Sequence, residues 1–423
     1  ALFCKDVKVI SIGLFFGCEA TTSVFHMSIS ARELLVYLAS RVVPALGTLI
    51  LTFLCVAVLS PEQYGSYSVA LTAAGVASGF VGGACGQPIL RYSHELSHAS
   101  RWHALWTLPL VVGLCAMVAV LVYLAVTTGL SVAGLLAAAA IPLIGLVDTR
   151  RNLFVARGQA GAVLRLDSWR SLLALLVGGL LFYMGSKQAA APLAAQLVAV
   201  ALSIVLVCDR AVDGPGGSRK IDRAYALYGL GFASWMAGIV ALSVAERTLL
   251  ASTSGMGTVG RYAALADVIN PIFSAGTGAL ASAMMPAYLG QTVHPDAAAL
   301  RKLRRMGVLG CLIVALLCLL LGLLLALIPD TRVARVLTAD VPTALILVAA
   351  ATVWAAAGFI QKPIELRGQT YHLSVGVAGA LMLFLLVAPS LAERLAAPGV
   401  ALAKLLAGCA FALFAGLASR QRH

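Results

Sequence analysis

Arg41, Arg247 and Lys404 stand in stretches otherwise built of alanine, leucine, valine and glycine, and Glu246 and Asp267 share that setting. An ionisable side chain placed so is costly, commonly faces a cavity and is by default a functional candidate. The basic groups suit an anion, which they meet through charge-assisted hydrogen bonds that are bidentate for arginine. The two acids suit a coupled H+ or Na+. Arg91 and Lys362 lie near the ends of their apolar stretches and join the anion-binding candidates, against the plainer reading that they snorkel to the interface. The substrate-binding set is therefore Arg41, Arg247, Lys404, Arg91 and Lys362, and the ion-coupling set is Glu246 and Asp267.

No catalytic constellation accompanies them, and no enzyme activity is expected. The seven histidines lie in loops, near helix ends or at the termini without metal spacing, and His94 and His98 read as a solvated loop. None of the nine cysteines forms a C-x-x-C pair, so neither zinc site nor disulfide framework is indicated. Without a Walker A sequence, ATP-driven transport by this chain is not expected. No cofactor is called for beyond the coupling ion.

The elements that must hold these charges are membrane helices. Of 423 residues, 61% are hydrophobic and only 11% charged, and the mean hydropathy is +0.96. A soluble domain is excluded. A hydrocarbon core of roughly 30 Å takes about 20 apolar residues per helix, and backbone amides within it must be paired internally. About twelve such spans are legible, near 33–59, 67–90, 104–127, 130–147, 170–186, 190–208, 224–250, 259–286, 306–328, 341–361, 371–388 and 397–418. The formal net charge of +13 calls for no nucleic acid, because the basic residues gather in alternate connections. By the positive-inside rule that side, with both termini, faces the cytoplasm, and a bacterial cytoplasmic (inner) membrane is the expected location. Residues 1–26 precede Met27, which reads as a natural start, and are set aside as a non-native or disordered extension.

Two pairs of words recur at nearly one offset. Gly65-Ser66-Tyr67 pairs with Gly260-Arg261-Tyr262, and Arg157-Gly158-Gln159 with Arg367-Gly368-Gln369. Their order and spacing predict an all-α polytopic protein of two six-helix lobes, because six spans restore the starting side. The lobes are residues 27–208 and 223–423, joined by a cytoplasmic linker at 209–222 that contains Asp213-Gly-Pro-Gly-Gly-Ser218. Polar stripes at helical period favour a cavity. Tyr37, Arg41, Thr48, Thr52 and Cys55 form one beside Pro44, and Asp267, Asn270, Ser274 and Thr277 form another, interrupted by Pro271.

Ser60-Pro-Glu-Gln-Tyr-Gly-Ser-Tyr67, Glu246-Arg-Thr-Leu-Leu250 and Val259-Gly-Arg-Tyr-Ala263 resemble the Wzx-type flippases and polysaccharide exporters of the multidrug/oligosaccharidyl-lipid/polysaccharide (MOP) superfamily, most of which carry Asp where this chain has Glu246. The resemblance spans residues 27–423. It implies two six-helix lobes around a central cavity lined by cations, best matched here by Arg41, Arg247 and Lys404, and alternating access for a polyprenyl diphosphate-linked oligosaccharide. Membrane lipids, a polysaccharide polymerase and glycosyltransferases are the implied partners. The competing readings are a cation-coupled multidrug antiporter of the same superfamily, which calls for an acidic cavity, and a non-transporting scaffold for polysaccharide assembly. An intramembrane sugar ligase is disfavoured by short extracytoplasmic connections.

Overall fold

The computed structural model describes residues 31–93, 95–206, 220–289, 297–327, 331–366 and 369–419. The extension 1–26, most of the linker, His94 and the Arg367-Gly368 part of the second repeat word lie outside them.

Each expected span corresponds to one helix. They are α1 (Ala31–Val58), α2 (Pro61–Tyr92), α3 (Ala99–Thr127), α4 (Val132–Ala156), α5 (Ala160–Tyr183), α6 (Ala190–Leu206), α7 (Arg223–Ser254), α8 (Met256–Leu289), α9 (Ala297–Ala326), α10 (Val341–Ile360), α11 (Thr370–Leu395) and α12 (Ala397–Ala418). Among the described residues, 11 helices are long and apolar enough to cross a membrane, and α6, at 17 residues, is a shorter apolar helix. Short helices Arg332–Thr338 and Lys362–Leu366 flank α10. The protein is thus all-α and polytopic.

Local chemistry sets the boundaries. Ser60 caps α2 through Gln63 N, with Pro61 in the first turn where its missing N–H is no loss. Asp222 caps α7 in the same way through Tyr225 N. Gly255 turns the chain between α7 and α8 at φ 80°, a left-handed conformation that glycine adopts without steric cost. The outward faces are apolar: Leu309, Leu312, Leu316 and Leu323 of α9 are all more than half exposed, as a face meant for lipid must be.

Packing repeats after six helices. In the first half α1 packs on α5, α5 on α6, α4 on α6, and α3 on α4; in the second, α7 packs on α11, α11 on α12, α10 on α12, and α9 on α10. The halves meet where α2 crosses α7 and α8 and where α1 lies along α8. The seam depends on missing side chains. A Cβ at Gly65 would collide with the Met256 carbonyl, and one at Gly260 with the Pro61 carbonyl. The two members of the first repeated word therefore pack against each other's helix across the lobe boundary.

One boundary differs from the expectation. The charged segment between the fourth and fifth spans, expected to be a loop flanking 147 and 170, is helical on both sides of a short turn at Arg157–Gln159. Hydropathy falls at Asp148, but nothing there breaks a helix, so α4 runs on to Ala156 and α5 begins at Ala160.

Candidate functional site

A cavity of about 700 Å³ opens within the first lobe, walled by α1, α2, α4, α5 and α6 and closed on one side by α8. The α1 stripe faces it as its period requires. Ser40, Arg41, Thr48 and Thr52 line the cavity, while Val42, Val43, Leu46 and Ile50 on the opposite face are exposed hydrophobics. Pro44 frees its neighbourhood from regular bonding, and its carbonyl accepts hydrogen bonds from Thr48 Oγ1 at 2.9 Å and Ser171 Oγ at 3.4 Å. Cys55, expected on the stripe, is instead fully buried in the core. From α8, Asp267, Asn270 and Ser274 reach the same space, whereas Thr277 donates to its own backbone at Phe273.

The extended ends of α4 and α5 bring four charges that the span boundaries had assigned to a loop. Arg151 Nε donates to Asp167 Oδ2 at 2.8 Å, and Arg170 lies 3.6 Å from Asp148 Oδ1. All four line the cavity. A signal for them was present: each helix carries an acid and an arginine three residues apart, Asp148 with Arg151 and Asp167 with Arg170, on one helical face. Each then pairs with the other helix rather than with its own.

The expected convergence of Arg41, Arg247 and Lys404 on one cavity needs correction. Arg41 stands on the wall without a hydrogen bond or ion pair to any described residue. Arg247 is buried, and its guanidinium meets Asp267 Oδ1 at 2.5 Å; Tyr64 donates to the other oxygen of that carboxylate at 3.1 Å. Lys404 is buried too, and lies 3.0 Å from Glu246 Oε1. Both are absent from the cavity wall because a neighbouring helix supplies each with a carboxylate. The same pairs alter the ion-coupling candidates: Glu246 and Asp267 already hold a protein cation each.

Arg91 and Lys362 do not line the cavity either. Arg91 is exposed, with its guanidinium 4.8 Å from the Tyr228 ring centre and 5.4 Å from that of Tyr92. Such cation–π contacts between α2 and α7 are structural rather than ligand-directed. Lys362 pairs with Glu365 at 2.7 Å one turn along its own short helix.

By sequence, no protein-family model and no curated protein matches the chain. By structure, it is similar to solved transporters of the MOP superfamily. A MOP transporter from Pyrococcus furiosus, described as having a binding pocket of reverse polarity, superposes with a TM-score of 0.60 at 13% identity over 92% of this chain and 94% of that one. The MATE multidrug transporter DinF-BH superposes with a TM-score of 0.64 at 16% identity, covering 96% and 99%. An inward-facing MATE transporter gives 0.59 at 13% identity, covering 91% and 98%. At these identities the likeness shows a fold, that of solved MOP-superfamily transporters, and does not extend to the Wzx-type flippases in particular.

Proposed function

We propose that this chain is a membrane transporter whose first-lobe cavity takes a substrate bearing an anionic group, and that the substrate is a polyprenyl diphosphate-linked oligosaccharide. One observation carries the reading: Arg41 is a cation on the cavity wall with no ion pair among the described residues, while Asp148, Asp167 and Asp267 are each matched by an arginine. With Arg247 matching Asp267 from behind the wall, Arg41 is left as one positive charge in excess. A phosphate entering it gains a desolvated guanidinium, and can draw on Arg151 and Arg170 by displacing the carboxylates they hold. The volume lies within the range of about 300–1,000 Å³ of ordinary ligand pockets, which suits a diphosphate with its first sugars while the lipid tail stays in the bilayer. A potential negative inside assists outward passage of each negative charge by roughly 2.3 kcal/mol per 100 mV.

A cation-coupled multidrug antiporter is the second reading. It draws on the MATE structures to which the chain is similar and on three carboxylates at the wall. Pairing of all three argues against it, because a drug cation would have to displace arginines from them.

Arg41→Ala in reconstituted vesicles separates the two. Loss of a charged hydrogen-bond partner is expected to slow translocation of lipid-linked sugar by roughly 10- to 100-fold, with the melting midpoint nearly unchanged, since Arg41 bonds to no described residue. Arg41→Lys should retain part of the rate through charge alone. Unaltered sugar translocation in Arg41→Ala, or uptake of organic cations strengthened by it, would favour the antiporter.

We further propose that both termini and the linker face the cytoplasm of a bacterial inner membrane, following the excess of arginine and lysine on that side. A cysteine placed at Gly217 should then react with an impermeant reagent only after the membrane is opened. Labelling from the outside of intact cells would reverse the orientation.

A further inference from the structure

Glu246 sits in the last third of α7 with its side chain only 2% exposed, and side chains from two other helices converge on it. The ammonium of Lys404, from α12, lies 3.0 Å from Oε1 in close ionic contact without hydrogen-bond alignment, and donates to Oε2 at 3.1 Å. Tyr262, from α8, donates to Oε2 at 2.9 Å. Lys404 is itself buried, and its backbone carbonyl accepts from Trp354 Nε1 at 3.3 Å, which fixes the stem of the side chain. Arg247, one residue on, turns to Asp267 instead. Helices α2 and α11 also pack on α7, but contribute no hydrogen bond or ion pair to Glu246 among the described residues.

A buried carboxylate with a hydroxyl beside it is the kind of oxygen site at which a membrane protein holds a proton or a small monovalent cation. Here the place of that cation is filled. We infer that Lys404 is a tethered counter-cation: its ammonium occupies the position at Glu246 that a coupled Na+ or H+ would need, so this lobe moves its substrate without exchanging an ion there. The ammonium carries the same single charge as Na+ and covers both carboxylate oxygens, but being covalently held it cannot be released to either side. Asp267 is neutralised likewise by Arg247, so neither Glu246 nor Asp267 has a vacancy for a transported cation. This inference rests on the reading of the chain as a transporter, but not on the identity of its substrate.

The test reads cation binding directly on the purified full-length protein, by thermal unfolding in NaCl or KCl against choline chloride at equal ionic strength. The wild-type midpoint is expected to be the same in all three. Lys404→Met should melt lower, and Na+, K+ or mild acidification should restore part of the loss, on the order of 5 °C at a hundredfold excess over Kd. Glu246→Gln/Lys404→Met removes the carboxylate along with its partner and should lose that response. Stabilisation of the wild type by Na+ or K+ overturns the inference, as does a folded Lys404→Met indifferent to cations and protons. Should Lys404→Met yield no folded protein, the wild-type result and an unresponsive double variant still decide. A failure of sugar translocation in vesicles, by contrast, bears on the substrate and leaves these melting curves untouched.

Discussion

Glu246→Leu is expected to remove about 3–5 kcal/mol of stability, the usual consequence of stranding one member of a buried ion pair. Lys404 would remain 9% exposed with its ammonium facing leucine, and the Tyr262 hydroxyl would lose its acceptor. Truncation alone cannot separate the loss of the pair from the penalty of the orphan it leaves, so a double variant is needed. Glu246→Leu/Lys404→Met should recover most of the loss, because two apolar side chains of similar size impose no desolvation cost. The readout is a double-mutant cycle of melting midpoints in detergent, with a coupling of about 0.5–3 kcal/mol or more. Additive losses would show that the two groups do not act as a pair. Arg247→Leu should be milder than Glu246→Leu, since Asp267 borders the cavity, where water can solvate it, and keeps the Tyr64 hydrogen bond. A substitution at Lys404 is therefore not expected to spare stability, unlike one at Arg41.

The second large effect is expected at the lobe boundary. Gly260→Val places a branched side chain where even a Cβ meets the Pro61 carbonyl, and the obstacle is backbone at the capped start of α2 rather than a side chain able to swing away. Overpacking usually costs about 1–3 kcal/mol; this site should reach or pass the upper end, because relief requires α2 and α8 to separate along the seam that joins the halves. The yield of folded protein and its melting midpoint measure it. Gly379→Ala is the control: Gly379 lies within α11 with nothing near its missing Cβ, so alanine should stabilise by about 0.5–1 kcal/mol through helix propensity. A Gly260→Val protein as stable as that control would mean the halves do not depend on this crossing.

Twelve helices were legible in the chain because the signal is local: each stretch must bury its own amides in lipid, and the apolar residues that do so are contiguous. The cavity face of α1 was legible for a related reason, since a 3.6-residue period aligns Arg41, Thr48 and Thr52 whatever surrounds them. The repeated Gly65 and Gly260 words marked two halves, but only packing revealed that the words themselves form the joint between them. Hydropathy ended the fourth span at the first charges, although a helix ends at a breaker or a cap and not at a charge; Asp148, Arg151, Asp167 and Arg170 were thereby assigned to a loop. What the sequence could not decide is which in-span charges are matched. Glu246 and Lys404 lie 158 residues apart, and no period or spacing links them. Composition counts cations and acids alike as candidates, whereas tertiary contact over 3 Å cancels some and leaves Arg41 unmatched on the cavity wall. Electrostatic cancellation acts through space and falls steeply with distance, so the charge left over for a ligand is settled only once the helices are packed.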